Sequence, residues 1–537
     1  MSEQSCYLKP NVQVEPLFAQ WYVWSHLIPP ATAARNVTER HMKIMDSYIN
    51  APAVHASAAK NPKMFGGPFI DYEGTKVVEI EDLRRHTKDK LRSLFDLSVA
   101  IAELEDLLRT KATGASLEPL YASVPEGLRG YVELSYDLNN HPSFRLIEPL
   151  LYRSPYYHER EQTLMLSLIT PDNRPEDLTR PFILSTPRLE DDRSVHLKVP
   201  YRDPIVDELF SMKTRPRRWS CVRDLFNGHV STSDGLQSLF TDKPLKPYER
   251  YSGNGVRCRY FGHACILIES KDLTVLLDPA LSYAYESEVP RFTYEDVPDR
   301  IDYVLITHTH QDHLHFETLL QLRHKIGQII VPRSGAGALH DPSIKSLLEA
   351  IGFRNVVALG DMETMDVGHG RITGLPFMGE HSDLSVHTKL MYLLDVAKHK
   401  LLFAADSCNM EPRLYEHAHK DVGDVDVLFL GMECDGAPLN WLYGPLLTKN
   451  VPRAMAESRR LSGSNCAQGM DLVHRFGCKN VYVYAMGQEP WLSHLVTIKY
   501  TPESRPMVES NKLVEACRAR GIQAERLFGE KELLLQD

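Results

Sequence analysis

The second half of this 537-residue chain is predicted to be a layered α/β fold, with packed sheets flanked by helices, preceded by a large α+β region. Three observations predict it. A chain of this length exceeds one ordinary core and should divide into two or three domains. Prolines and glycines cluster over residues 243–255, which reads as a linker separating 1–245 from 246–537. Beyond the linker, a strand–turn–strand pattern gives way to alternating apolar runs and helical stretches.

Taken in order, residues 79–109 carry Leu83, Leu91, Leu94, Leu97, Ile101, Leu104 and Leu108 near helical spacing, which predicts a helix. Its apolar stripe reads as a core face, with a partner-helix seam in a homodimer as the alternative. Pro29-Pro30 and Phe65-Gly66-Gly67-Pro68 break the earlier segments. No chemical motif occurs in 1–245, so recognition or dimerisation is the role left to it. Past the linker, strands are expected at 257–269 (as a hairpin), 273–278, 328–331, 355–359, 371–375, 389–395, 400–404, 425–430 and 480–485. Helices are expected at 316–325, 344–350 and 466–476. Such folds carry their ligands on loops at strand ends.

Composition narrows the function. The chain is 43% apolar and 25% charged, as in soluble globular proteins. No apolar run approaches membrane-spanning length, and Met1-Ser2-Glu3-Gln4-Ser5-Cys6 lacks the layout of a signal peptide. Nine cysteines without a C-x-x-C pair point to reduced thiols in a cytoplasm. A net charge of −10 argues against nucleic-acid binding.

The densest chemistry is His308-Thr309-His310-Gln311-Asp312-His313, directly after the apolar run Asp302-Tyr303-Val304-Leu305-Ile306-Thr307. In extended backbone His308 and His310 point the same way, and the turn into the following helix swings Asp312 and His313 toward a second position. Two adjacent half-sites for metals result, needing further ligands from later loops. Asp406, in Ala404-Ala405-Asp406-Ser407, ends a buried strand and can bridge two metals with its two oxygens. In Gly379-Glu380-His381, Glu380 and His381 compete for one place. His315 and His324 lie past the motif and are expected at the surface.

Phe261-Gly262-His263-Ala264, the strand end Leu276-Leu277-Asp278-Pro279, the HxHxDH run and Asp406 together resemble the metallo-β-lactamase superfamily. The resemblance implies an αββα sandwich with a dinuclear site between its sheets. Hydrolases of that superfamily offer a histidine after the last core strand, where this chain has Met486; His494 comes too late to serve. Glu380 within Gly-Glu-His, the ending Tyr484-Ala485-Met486-Gly487-Gln488-Glu489-Pro490-Trp491 and the long N-terminal region (including 21–72) resemble instead the chloramphenicol-type β-hydroxylases. That resemblance implies two non-haem irons, oxo- or hydroxo-bridged, with O2 as co-substrate. It implies His308, His310 and Glu380 on one iron, Asp312 and His313 on the other, and Asp406 between them, favouring Glu380 over His381. Three carboxylates suit redox-active iron better than zinc, and losing an imidazole at Met486 leaves a position open.

The implied reaction is hydroxylation of the β-carbon of an L-amino acid, an aromatic one such as para-aminophenylalanine, held as a thioester on the carrier domain of a nonribosomal peptide synthetase in antibiotic biosynthesis. No flavin or iron–sulfur signature occurs, so an external electron donor is required; Ser334-Gly335-Ala336-Gly337 reads as a turn. The alternative is a dinuclear hydrolase, a thioesterase or phosphodiesterase, using metal-activated water. Glu433, in Met432-Glu433-Cys434-Asp435-Gly436, faces the pocket or belongs to a plain turn. Trp441, Tyr443 and Trp491 pack in the core or wall the substrate. Lys213, Arg215, Arg217 and Arg218 form a basic run, a solvated loop or a docking surface for an acidic carrier.

Overall fold

The computed structural model describes residues 5–170, 180–230, 233–335 and 337–536. Met1 to Gln4, at the start of the reading against a signal peptide, and Ala336, in the expected turn, lie outside them.

Two seven-stranded sheets form the second half. The first runs from edge to edge through Val356–Leu359, Ile326–Pro332, Ile301–Leu305, Thr274–Leu277, Ile266–Glu269, Val256–Tyr260 and Lys531–Leu535. The second runs through Thr364–Asp366, Gly370–Leu375, Met391–Val396, His399–Phe403, Val427–Gly431, Asn480–Tyr484 and Gln523–Arg526. Strand alternation assigns each side chain to a layer. Ile266, Ile268, Val275, Leu277 and Leu305 point inward and meet Tyr392, Leu394, Leu401, Phe403 and Phe429 of the opposite sheet. On the second sheet Leu402, Leu428, Leu430, Val481 and Val483 point outward against the helices Pro412–Val422, Cys466–Arg475 and Arg505–Arg518. The αββα expectation holds. The pairing of Lys531–Leu535 with Val256–Tyr260, which brings the end of the chain to the first strand after the linker, was not foreseen.

The outward residues of the first sheet, Leu267, Leu276, Val304 and Ile329, join one core with Val14, Leu17, Trp21, Leu94 and Leu209. The N-terminal region therefore covers this sheet and its helix Phe316–Leu322. That region has its own antiparallel sheet, Trp21–Tyr22, Val12–Phe18, Gln162–Leu168 and Ser194–Leu197. The expected helix over 79–109 is two helices, Val77–Lys90 and Arg92–Lys111, broken at Leu91, whose ψ of 24° leaves the helical region. All seven of its apolar residues are buried within the chain's own core.

Coverage by the N-terminal region overturns two readings. His315 is 2% exposed, not a surface residue. Its Nε2 lies 2.9 Å from the Tyr22 hydroxyl and its Nδ1 2.9 Å from Thr318 Oγ1. His324 is half-buried, close to the Tyr294 hydroxyl. Lys213 leaves the basic run altogether. It is fully buried, donates to Gln321 Oε1 at 2.9 Å and lies over the Tyr294 ring. Arg215, Arg217 and Arg218 remain exposed, with Arg217 paired to Glu208.

An ionic cluster fills the same seam. Arg188 donates to both Glu15 oxygens at 3.0 Å, and Arg180 donates to Glu317 Oε2 at 2.8 Å. Tyr22 and Tyr283 donate to the two Glu317 oxygens. Removing one partner strands buried charge, so Glu15→Ala should lower stability by about 3–5 kcal/mol, read as a fall in the urea midpoint. Lys213 gives a pH prediction. Burial, then the neighbouring Lys325, lowers its ammonium to about 7. Above that pH the folded chain has released a proton that the unfolded chain holds up to about 10.4. Stability should thus rise with pH across that interval, and Lys213→Met should make the rise smaller in thermal melts.

Candidate metal centre

The six expected ligand residues come from three strand-end loops meeting at one rim of the sandwich. The loop from His308 to His313 follows Ile301–Leu305, between the parallel neighbours Thr274–Leu277 and Ile326–Pro332. His308 is not in a strand of this sheet; it makes an isolated bridge to Lys389, and the rings of His308 and His310 still come within 4.7 Å.

Asp278, at the end of Thr274–Leu277, sets this loop. Its carboxylate is wholly buried and accepts from the Thr307 backbone N–H at 2.8 Å and the Thr307 hydroxyl at 2.6 Å. It also lies 2.8 Å from His313 Nδ1. A carboxylate there requires Nδ1–H on His313, an assignment from the bonding pattern that turns Nε2 toward the cage. That Nε2 is 2.9 Å from Asp406 Oδ2, and His308 Nε2 is 3.7 Å from the same oxygen. Asp406 therefore stands between the two half-sites. Its position needs Gly431: a β-carbon there would sit 2.6 Å from Asp406 Oδ1.

On one side, His310 Nδ1 lies 3.2 Å from Glu380 Oε1. Glu380 follows Gly379 with both residues at positive φ, 66° and 78°, and Gly379 lies so close to Cys408 that a β-carbon would clash. On the other side, Asp312 Oδ2 lies 3.1 Å from His263 Nε2. His263 Nδ1 accepts the Gly487 backbone N–H at 3.1 Å, so its proton sits on Nε2, facing Asp312. His263 was legible only as part of a fold motif; here it orients a carboxylate. His381 also reaches the site, its Nδ1 2.7 Å from the Tyr443 hydroxyl, which is 3.3 Å from His310 Nε2. Tyr443 thus buttresses two imidazoles. Trp441 instead stacks on Phe182, and Trp491 packs in the core beneath Arg291.

Electrostatics describe a cage that wants cations. Burial first, then neighbouring imidazoles, hold His308 well below its ordinary value; burial lowers His310 to about 4. Burial, then Asp406 and Asp312, push Glu380 well above the carboxylate range. Burial opposes charge on His313, but Asp406 and Asp278 outweigh it and raise that imidazole. His308 Nε2, His313 Nε2, His381 Nε2 and Asp406 Oδ1 are buried with no hydrogen-bond partner. Such orphans are costly unless something binds them. Ligand atoms of His308, His313 and Asp406 lie within 4.8 Å of one another, as do those of His263, Asp312 and His313. The donor set fits a pair of metal ions.

Met486 is 2% exposed and belongs to an apolar cluster, so no side-chain ligand enters from that strand end. His494 lies away from the cage, in a second buried group with His315 and Glu317.

The comparisons with known proteins agree with this geometry. Residues 7–244 match the family described as diiron non-heme beta-hydroxylase N-terminal domain, and residues 257–441 match the beta-lactamase superfamily domain. The chain is similar to 4-amino-L-phenylalanyl-(CmlP-peptidyl-carrier-protein) 3-hydroxylase of Streptomyces venezuelae, 37% identical over 98% of this chain and 99% of that one. The crystal structure of CmlA, a diiron beta-hydroxylase from Streptomyces venezuelae, matches with TM-score 0.92 at 37% identity over 99% of this chain and 100% of that one. A CmlA point mutant matches with TM-score 0.90 at the same identity and coverage. The fold and site define a metallo-β-lactamase-fold enzyme with a dinuclear centre. The chain belongs to the diiron β-hydroxylase family. The hydrolase alternative is set aside, since full-length similarity runs to hydroxylases.

Asp278 generates the prediction here. Asp278→Asn removes the charge that fixes the His313 tautomer, so iron affinity should fall about 10–100-fold, measured by metal titration of the folded variant.

Proposed function

We propose that the protein hydroxylates the β-carbon of an aromatic L-aminoacyl group carried as a thioester on the carrier domain of a nonribosomal peptide synthetase, in antibiotic biosynthesis. The observation that carries this reading is the carboxylate-rich cage on a chain alignable end to end with a carrier-bound aminoacyl 3-hydroxylase. In this reading His308, His310 and Glu380 hold one iron, Asp312 and His313 the other, and Asp406 lies between them. When bound, the irons supply the redox capacity to reduce O2 with two electrons from an external donor.

The chain's own residues do the rest. Asp278 and His263 hold His313 and Asp312 in place from behind. Tyr443 fixes the outer edges of His310 and His381. The buried walls, Phe377 beside His308 among them, keep bulk water from the ligands. We assign 1–245 to recognition of the carrier or to dimerisation, and 246–537 to the metal centre. Among the described residues no helix is long and apolar enough to cross a membrane. The reading of a reducing, cytoplasmic setting rests on nine cysteines, all of them free.

The test is to incubate iron-loaded, reduced protein with O2 and an aminoacylated carrier and weigh the product. A gain of one oxygen atom on the carrier-bound acyl group is expected. Release of free amino acid without oxygen incorporation would overturn the proposal.

A further inference from the structure

Tyr443 is placed for a task that holding imidazoles does not require. Its side chain is 1% exposed, and its hydroxyl contacts two rings at once, His381 Nδ1 at 2.7 Å and His310 Nε2 at 3.3 Å. His310 Nδ1 is the nitrogen beside Glu380, so Nδ1 serves the cage and the ring proton sits on Nε2, an assignment from the bonding pattern. The Tyr443 oxygen then accepts from His310 and donates its one O–H to His381 Nδ1. A phenol with an imidazole acceptor on one side and the ring of an expected iron ligand on the other can lose an electron and a proton together. The electron leaves through His310, the proton along a single hydrogen bond.

Neighbouring rings each lack one half of this arrangement. Trp24 lies beyond Tyr443 and is reached through His26, with ring centroids 4.7 Å and then 6.0 Å apart. Its Nε1 is buried without a hydrogen-bond partner, so an oxidised Trp24 has no acceptor for its proton. The Arg40 guanidinium sits over the same ring, 5.6 Å from its centroid, and penalises further positive charge there. The Tyr392 hydroxyl donates to the Ile306 carbonyl, a far weaker base than imidazole. Tyr22 has bases in reach, His315 and Glu317, but these lie in the seam and not in the cage. Phe377, beside His308, has no acidic proton to give. An oxidising equivalent leaving the cage therefore stops at Tyr443.

We propose that Tyr443 is a redox-active residue that protects the centre when O2 reacts at the irons with no substrate in place. Tyr443 gives one electron to the oxidised iron pair and its phenolic proton to His381 Nδ1. The O–H bond breaks, an N–H bond forms, the pair is reduced by one electron, and a neutral radical is left on Tyr443. One electron from the external donor, with return of the proton from His381, restores the phenol. Oxidising power otherwise directed at the histidine ligands is moved to a ring that can be reduced again. The inference rests on the O2-reactive iron pair of the function proposed above and is independent of which acyl group is hydroxylated.

The experiment mixes reduced, iron-loaded protein with O2 in the absence of carrier, freezes it at successive times and records electron paramagnetic resonance. Wild type should show a tyrosyl signal that narrows when tyrosine deuterated at its β-carbon is incorporated. That radical should couple to two exchangeable protons, donated by His310 Nε2 and His381 Nδ1, and both couplings should vanish in D2O. Tyr443→Phe at matched iron content should lose the signal. After repeated cycles of reduction and O2, its peptides carrying His308 and His310 should gain oxygen faster than those of wild type. O2 consumption by wild type without a tyrosyl signal, a signal retained in Tyr443→Phe, a radical lacking the exchangeable couplings, or equal ligand oxidation in the two proteins would each overturn the proposal. Should Tyr443→Phe fail to take up iron, the wild-type signal and its couplings decide by themselves. Hydroxylation of the carrier-bound group with no radical formed would leave the proposed function standing and remove this role of Tyr443. Failure of the reduced protein to react with O2 would remove both.

Discussion

Asp278 ends its strand with a carboxylate sealed from water, and three donors converge on it: the Thr307 amide, the Thr307 hydroxyl and His313 Nδ1. A buried carboxylate is costly to desolvate, and charge-assisted hydrogen bonds of this kind offset the cost. The bonds also tie two adjacent strands to the loop that carries every histidine of the HxHxDH run. Without that tie the loop would have to be positioned by its own backbone, and the two half-sites would lose their spacing. Through Thr307 and His313 the sheet edge becomes part of the metal centre.

The cage itself is under electrostatic tension until cations enter. Asp406, Asp312 and Glu380 share a buried space with three imidazoles. Burial and then repulsion from Asp406 and Asp312 raise Glu380, while Nε2 of His308, His313 and His381 is buried with no hydrogen-bond partner. Dications relieve both conditions together. A zinc hydrolase needs less negative charge than this, which is the physical content of the departure at Glu380 and Met486.

The N-terminal region acts on the site from outside. It covers the helix that follows the metal loop, and the Glu15–Arg188–Arg180–Glu317 cluster joins the two at a seam of buried charge. That seam also buries His315 and Lys213. The two parts of the chain share one apolar core, so the linker in the sequence is not a break in packing.

Local pattern in the sequence determined the central strands of both sheets and the helices Phe316–Leu322, Ile344–Ala350 and Cys466–Arg475, because their apolar runs are long enough to read alone. The helices Pro412–Val422 and Arg505–Arg518 and the edge strands Thr364–Asp366, Gln523–Arg526 and Lys531–Leu535 were not legible. Local pattern likewise determined the HxHxDH loop, Asp406, and Glu380 with His381, because metal ligands cluster at strand ends in short, recognisable runs. Tertiary structure alone decided the rest. His315 looks like a surface residue until Tyr22, 293 positions away, packs against it, and Lys213 until Gln321, 108 positions away, accepts its hydrogen bond; such coverage leaves no local trace. His263 and Tyr443 are legible as candidate residues in their local runs, but only sheet register and loop packing decide that they touch Asp312, His310 and His381.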